Sequence, residues 1–180
     1  MAGLTYVGLL RGVNVGRSTR VAMADLRALV EALGYRGVRT ILNSGNVVFT
    51  GPRAPTARVA AQVELALAKR LGVTVRVFVM TAAELAAAVA ANPLAGIASD
   101  PSRLVLAVPS NARDLARVNP LLERDWAPEA LAAGPRAAYF WCPDGFADSP
   151  VADAVRRALG DEATMRNWAT VRRLLARLES

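Results

Sequence analysis

"VRTILNSGNVVFT" (Val38–Thr50) decides how the chain folds. Two runs rich in β-formers flank Ser44-Gly45, a dipeptide that favours a tight turn, so the stretch reads as a β-hairpin. Upstream, "LTYVGLL" (Leu4–Leu10) has the composition of a first strand. Between the two, Leu26, Leu29, Val30 and Leu33 recur at helical spacing, and Gly34 supplies the stop. Downstream, Val59, Val63, Leu67 and Leu71 mark one face of a helix that opens near Thr56 and is followed by Gly72. "VTVRVFVM" (Val73–Met80) is a fourth strand with both faces apolar. The order βαββαβ is that of ferredoxin-like folds. A further helix follows, opened by Thr81 with Glu84 three residues on, the spacing of a capping box, and ended by Asn92-Pro93.

The second half repeats the pattern without repeating the sequence. "RLVLAVP" (Arg103–Pro109) is a strand, and Ser110 or Asn111 caps a helix carrying Leu115 and Val118. "EALAAG" and "RAAYFWC" form a strand pair around Gly134-Pro135. Ser149-Pro150 is a cap followed by proline at the first helical position, and that helix ends at Gly160. A short strand over 163–166 leads into a last helix capped by Asn167, with Trp168, Val171, Leu175 and Leu178 on one face. The expected class is α+β: two ferredoxin-like βαββαβ units, each followed by an extra helix, packed as one pseudo-symmetric body. The units span 1–91 and 103–180, with a linker over 92–102.

Composition narrows the chemistry. Of 180 residues, 53% are hydrophobic and 21% charged, a globular profile. No apolar run approaches the roughly 20 residues of a membrane span, and no basic leader opens the chain, so a cytoplasmic protein without membrane contact is expected. Histidine is absent, which removes imidazole acid–base chemistry, Ser-His-Asp triads and nearly all zinc sites. One cysteine, Cys142, allows no internal disulfide, and its apolar strand makes it inert. Asp144 and Asp148 could pair on a metal but suit turn and cap duties better, so no metal, cofactor or catalytic residue is assigned. Charge is uneven: eleven basic residues face three acids from Met1 to Met80, against eleven and twelve from Thr81 to Ser180. An acidic partner would meet the first half.

The loop "LLRGVNVGR" (Leu9–Arg17) fails the phosphate-loop pattern, having three residues between Gly12 and Gly16 and an arginine in place of lysine. Its glycines and Asn14 read first as a turn. Topology adds more. In a βαββαβ sheet of order 4-1-3-2, the end of the first strand and the hairpin turn meet at one edge, where the first helix also begins. Arg11, Gly12, Asn14, Gly16, Arg17 and Arg20 should therefore neighbour Asn43, Ser44, Gly45 and Asn46. No acid precedes Asp25 to neutralise those arginines. Arginines beside a helix N-terminus suit a small anionic, phosphate-bearing ligand. Competing readings are an enzyme with carboxylate or arginine chemistry in a cleft between the halves, a structural or oligomer-forming protein, and nucleic-acid binding through Tyr6 and Phe49. The last is weakened by only 6% aromatic residues. Oligomeric state stays open.

Three stretches together, "LLRGVNVG", "LGYRGVRTILNSGNVVF" and "TMRNWATVRRLLARL", resemble the uncharacterised bacterial domain-of-unknown-function family numbered 1697. Arg166, Asn167, Trp168 and Thr170 are the hallmark of the third stretch. The resemblance covers nearly the whole chain and implies a paired, ferredoxin-like α+β fold, with no catalytic residue, substrate or cofactor to carry over. The sequence departs from the pattern at Leu42 and Ala169. By their residue types, Arg166, Asn167 and Trp168 read mainly as a helix start; the alternative is an Arg-Asn pair lining a pocket.

Overall fold

The computed structural model describes residues 3–17 and 19–179. The chain divides into two units, Met1–Leu85 with Arg173–Ser180, and Ala86–Arg172.

The first unit runs β1 (Leu4–Leu10), α1 (Met23–Ala32), β2 (Arg36–Ile41), β3 (Asn46–Gly51), α2 (Thr56–Leu71) and β4 (Val77–Thr81). Its antiparallel sheet has the order β2-β3-β1-β4, the expected 4-1-3-2. Period-two alternation sorts the side chains. Tyr6, Leu10, Val47, Phe49, Val77 and Val79 face α1 and α2, which add Leu26, Val30, Val59, Val63 and Leu67 to one core. Val7, Leu9, Val48, Phe78 and Met80 point to the other face and are buried as well, as apolarity on both faces requires. Each such large side chain contributes about 1.5–3 kcal/mol by leaving water.

Strand β4 starts at Val77, four residues later than the alternation predicts. Its neighbour β1 ends at Leu10, whose partner is Val77. Beyond Arg76, whose carbonyl still accepts from Arg11 N–H, earlier residues have no strand to pair with, and an alternating pattern alone makes no ladder. Helix α2 ends as expected on Gly72 (φ 66°). At the exit of β4 the capping box closes reciprocally: Thr81 N–H donates to Glu84 Oε2 (2.8 Å) and Glu84 N–H to Thr81 Oγ1 (3.1 Å). Helix α3 (Ala82–Ala90) follows without an intervening loop.

The second unit runs β5 (Leu104–Pro109), a 3-10 segment (Ala112–Val118), α4 (Asn119–Leu122), β6 (Ala130–Ala133), β7 (Ala138–Trp141), α5 (Pro150–Leu159) and β8 (Ala163–Asn167), then α6 (Trp168–Leu178). Its sheet order, β6-β7-β5-β8, matches the first. The expected helix after β5 is replaced by the 3-10 segment and one short α turn. Asn111 Oδ1 caps it by accepting from Arg113 N–H (3.0 Å). Pro120 explains the break, because it lacks the N–H that would continue the ladder and sits instead in the first turn of α4, where that N–H is not needed. Ser149 Oγ caps α5 by accepting from Ala152 N–H (3.0 Å).

Candidate functional site

Strand β1 runs out against the hairpin turn. Leu10 N–H donates to Gly45 O (2.8 Å), and Arg11 N–H to Arg76 O (2.9 Å). The chain then turns through Gly12 (φ 64°), Asn14 (φ 57°) and Gly16 (φ 54°), a left-handed region open to glycine and tolerated by asparagine. Asn14 fixes the loop. Its Nδ2 donates to Val21 O (2.7 Å) and Asn43 O (2.8 Å), and its Oδ1 accepts from Val21 N–H (3.0 Å). Gly45 (φ 76°) lies so close beneath that a Cβ there would fall 2.6 Å from Val13 Cγ2 and 2.7 Å from Leu10 Cβ. The loop of Arg11 to Arg20 and the turn of Asn43 to Asn46 therefore sit together, as strand order requires.

Two of the three asparagines direct their carboxamides to the chain itself. Asn14 spends its carboxamide on the chain. Asn46 is fully buried, and its Nδ2 donates to Ile41 O and Ser44 Oγ, each at 2.9 Å. Asn43 gives its carbonyl to Asn14. Buried amides must find partners or forfeit about 1–3 kcal/mol, and here the nearest partners belong to the turns. The arginines remain. Arg17 is exposed and has no bonding partner among the described residues. Arg20 is exposed, with Nη2 on Gly16 O (2.8 Å). Arg11 is half-buried. Helix α1 begins beside them, and its N-cap, Ala22, offers no side-chain acceptor.

Arg166, Asn167 and Trp168 lie in the second unit, at the junction of β8 and α6. Asn167 Oδ1 caps α6 by accepting from Thr170 N–H (2.9 Å). Trp168 packs edge-on against Tyr139, centroids 6.4 Å apart. Arg166 Nη1 donates to Thr164 Oγ1 and Met165 O, both at 2.9 Å. Loss of solvent around this guanidinium pushes its pKa down to about 10. Arg166 and Asn167 line a small pocket of about 240 Å³ with Ser102, Val105, Phe146 and Met165.

Other features settle into structural roles. Tyr6 and Phe49 are buried, with ring centroids 5.7 Å apart, so neither offers a face to a nucleobase. Cys142 is buried; its thiol donates to Ser149 Oγ (3.1 Å), and burial raises its pKa. Among the described residues no three His, Cys, Asp or Glu side chains gather as metal ligands, and no helix is long and apolar enough to cross a membrane. The sequence reading passed over Arg36 and Arg53. They stand beside a cleft at the opposite end of the first sheet from the hairpin turn. The available signal was a repeated Gly-x-Arg, "GYR" at 34–36 and "GPR" at 51–53.

Two four-stranded antiparallel sheets, each with the 4-1-3-2 order and flanking helices, define a duplicated α+β protein of ferredoxin-like design. A family model, described as protein of unknown function (DUF1697), matches residues 4–139. The chain belongs to the DUF1697 family. A solved structure of a conserved bacterial protein from Streptococcus pneumoniae is similar throughout: TM-score 0.79, 23% identity, 98% of this chain and 99% of that one covered. At that identity the likeness speaks for the fold. No curated protein sequence matches the chain.

Proposed function

We propose that the first unit binds a small anionic, phosphate-bearing ligand where β1 ends and the β2–β3 turn closes. The observation that carries this reading is the arginine group on a braced loop. Arg11, Arg17 and Arg20 project from a segment held by Asn14 on both sides, and no acid lies between Met1 and Asp25. Of the four acids from Met1 to Leu85, three are engaged locally. Glu31 pairs with Arg27 (2.9 Å), Glu64 accepts from Val77 N–H (2.8 Å), and Glu84 accepts from Thr81 N–H (2.8 Å). Asp25 lies in the first turn of α1, and Glu64, which also pairs with Arg76 (3.5 Å), lies by the start of β4. The uncapped N–H groups of that turn add partial positive charge. Guanidinium groups match phosphate oxygens by paired, charge-assisted hydrogen bonds.

Titration with inorganic phosphate, followed by amide chemical shifts, tests the reading. Resonances of Gly12, Gly16 and Gly45 should move saturably, and the affinity should fall steeply with added salt. Replacing Arg17 and Arg20 together by alanine should weaken binding by at least about tenfold, given roughly 1.5–3 kcal/mol per charged hydrogen bond. Both side chains are exposed, so the variant keeps its fold. Unmoved amides in the native protein would sink the proposal.

A further inference from the structure

Two Gly-x-Arg triplets flank one end of the first sheet. Arg36 opens β2 and is paired with Thr50 of β3; Arg53 lies three residues beyond Thr50. Between them opens a cleft of about 760 Å³, within the range of small-molecule sites. Its walls are mostly apolar: Gly3, Gly34 and Gly51 contribute bare backbone, and Pro52 and Thr50 contribute ring and methyl carbons. Close neighbours hold two of these positions to glycine. A Cβ at Gly51 would collide with the ring of Tyr35, and one at Gly3 would fall 2.8 Å from Thr50 Cγ2.

The two guanidinium groups flank the cleft without partners of their own. Both arginines are exposed, and neither side chain has a hydrogen-bond or ion-pair partner among the described residues. Arg53 nevertheless sits on a fixed backbone. The buried Tyr6 hydroxyl donates to Pro52 O (2.8 Å) and accepts from Ala54 N–H (2.8 Å), pinning the residues on either side of Arg53. Arg36 is held by its strand, where a register shift between Arg36 and Arg39 coincides with Gly37 at φ 60°. A bulge of this kind re-aims the side chains beside it and interrupts an exposed edge.

We infer that this cleft is a binding site for a small organic anion, with a phosphate or carboxylate head held between Arg36 and Arg53 and a flat apolar body laid over the glycine floor. The head satisfies two cations that have no counter-charge among the described residues. The body covers glycine Cα carbons and the Pro52 ring, which a bare inorganic ion cannot do. The site is separate from the edge at the hairpin turn and does not depend on it.

Phenyl phosphate, inorganic phosphate and benzyl alcohol, each titrated into the native protein, separate these contributions. Phenyl phosphate should shift the amides of Gly34, Gly51 and Arg53 saturably. At those amides inorganic phosphate and benzyl alcohol should each bind at least about tenfold more weakly, because each supplies one half of the contact. In R36A/R53A, phenyl phosphate should lose at least about tenfold in affinity at the same amides, with an unchanged melting temperature. The proposal is overturned if phenyl phosphate leaves Gly34 and Gly51 unmoved, if inorganic phosphate binds there equally well, or if the double variant binds as the native protein does. Shifts at Gly12 and Gly16 in the same spectra report the hairpin edge, so either site can fail alone.

Discussion

Gly45→Ala lowers the free energy of unfolding by about 3 kcal/mol, read from a urea or thermal melt. Two independent costs combine. The residue sits at φ 76°, where a Cβ meets the following carbonyl at a cost of about 1–2 kcal/mol. The added methyl would also lie 2.6 Å from Val13 Cγ2 and 2.7 Å from Leu10 Cβ. Both neighbours are buried in the first core, and overpacking a core costs about 1–3 kcal/mol more. For a chain of this length the sum lowers Tm by roughly 5–15 °C. Gly16→Ala is the matched control. Gly16 is also left-handed (φ 54°), but a Cβ there meets nothing within 4 Å. It should cost only the backbone share, about 1–2 kcal/mol. Equal losses in the two variants would mean that the turn does not press on Val13 and Leu10.

Asn14→Gly costs about 2–3 kcal/mol, and Asn14→Ala about 1 kcal/mol more. Glycine keeps the left-handed backbone at φ 57° and removes only the carboxamide, which makes three hydrogen bonds, two to Val21 and one to Asn43. Each is worth about 0.5–1.5 kcal/mol. Alanine loses the same bonds and also strains the backbone. Asn14→Asp is the more telling substitution. It keeps the acceptor for Val21 N–H but turns an anionic oxygen toward the carbonyls of Val21 and Asn43, so it should destabilise more than glycine does at neutral pH. Denaturant melts of the three variants give the ranking. A mild Asn14→Asp would show that the amide is not oriented as described.

Much of the fold is written in local chemistry. Leu4–Leu10, the α2 periodicity ending on Gly72, the Thr81–Glu84 box and the Ser149-Pro150 start all depend on neighbours within a few residues, and each is found where its residues place it. The departures occur where a distant partner decides. Val73 to Val75 alternate like a strand, but β1 is too short to pair with them. Leu115 and Val118 have helical spacing, but Pro120 leaves only a 3-10 segment and one turn.

The candidate edge divides in the same way. That its two loops meet follows from strand order, which the sequence pattern encodes. That Asn14 and Asn46 are occupied does not, because residue type cannot say whether a carboxamide faces its own backbone or a ligand. Arg36 and Arg53 are seventeen positions apart and become neighbours only through the register that sets Arg36 opposite Thr50.

The edge at the hairpin turn carries its positive side-chain charge on guanidinium groups, and the chain contains no histidine. Guanidinium stays protonated throughout the ordinary range, so between about pH 5 and 8 such a site behaves as an electrode of fixed potential. Any change of affinity with pH then belongs to the ligand. A phosphate monoester gains its second charge near pH 6 and should bind more tightly above that point. A carboxylate or a diester, already fully ionised, should bind evenly across the range. Affinity measured against pH thereby sorts candidate ligands by the ionisation of their own head groups.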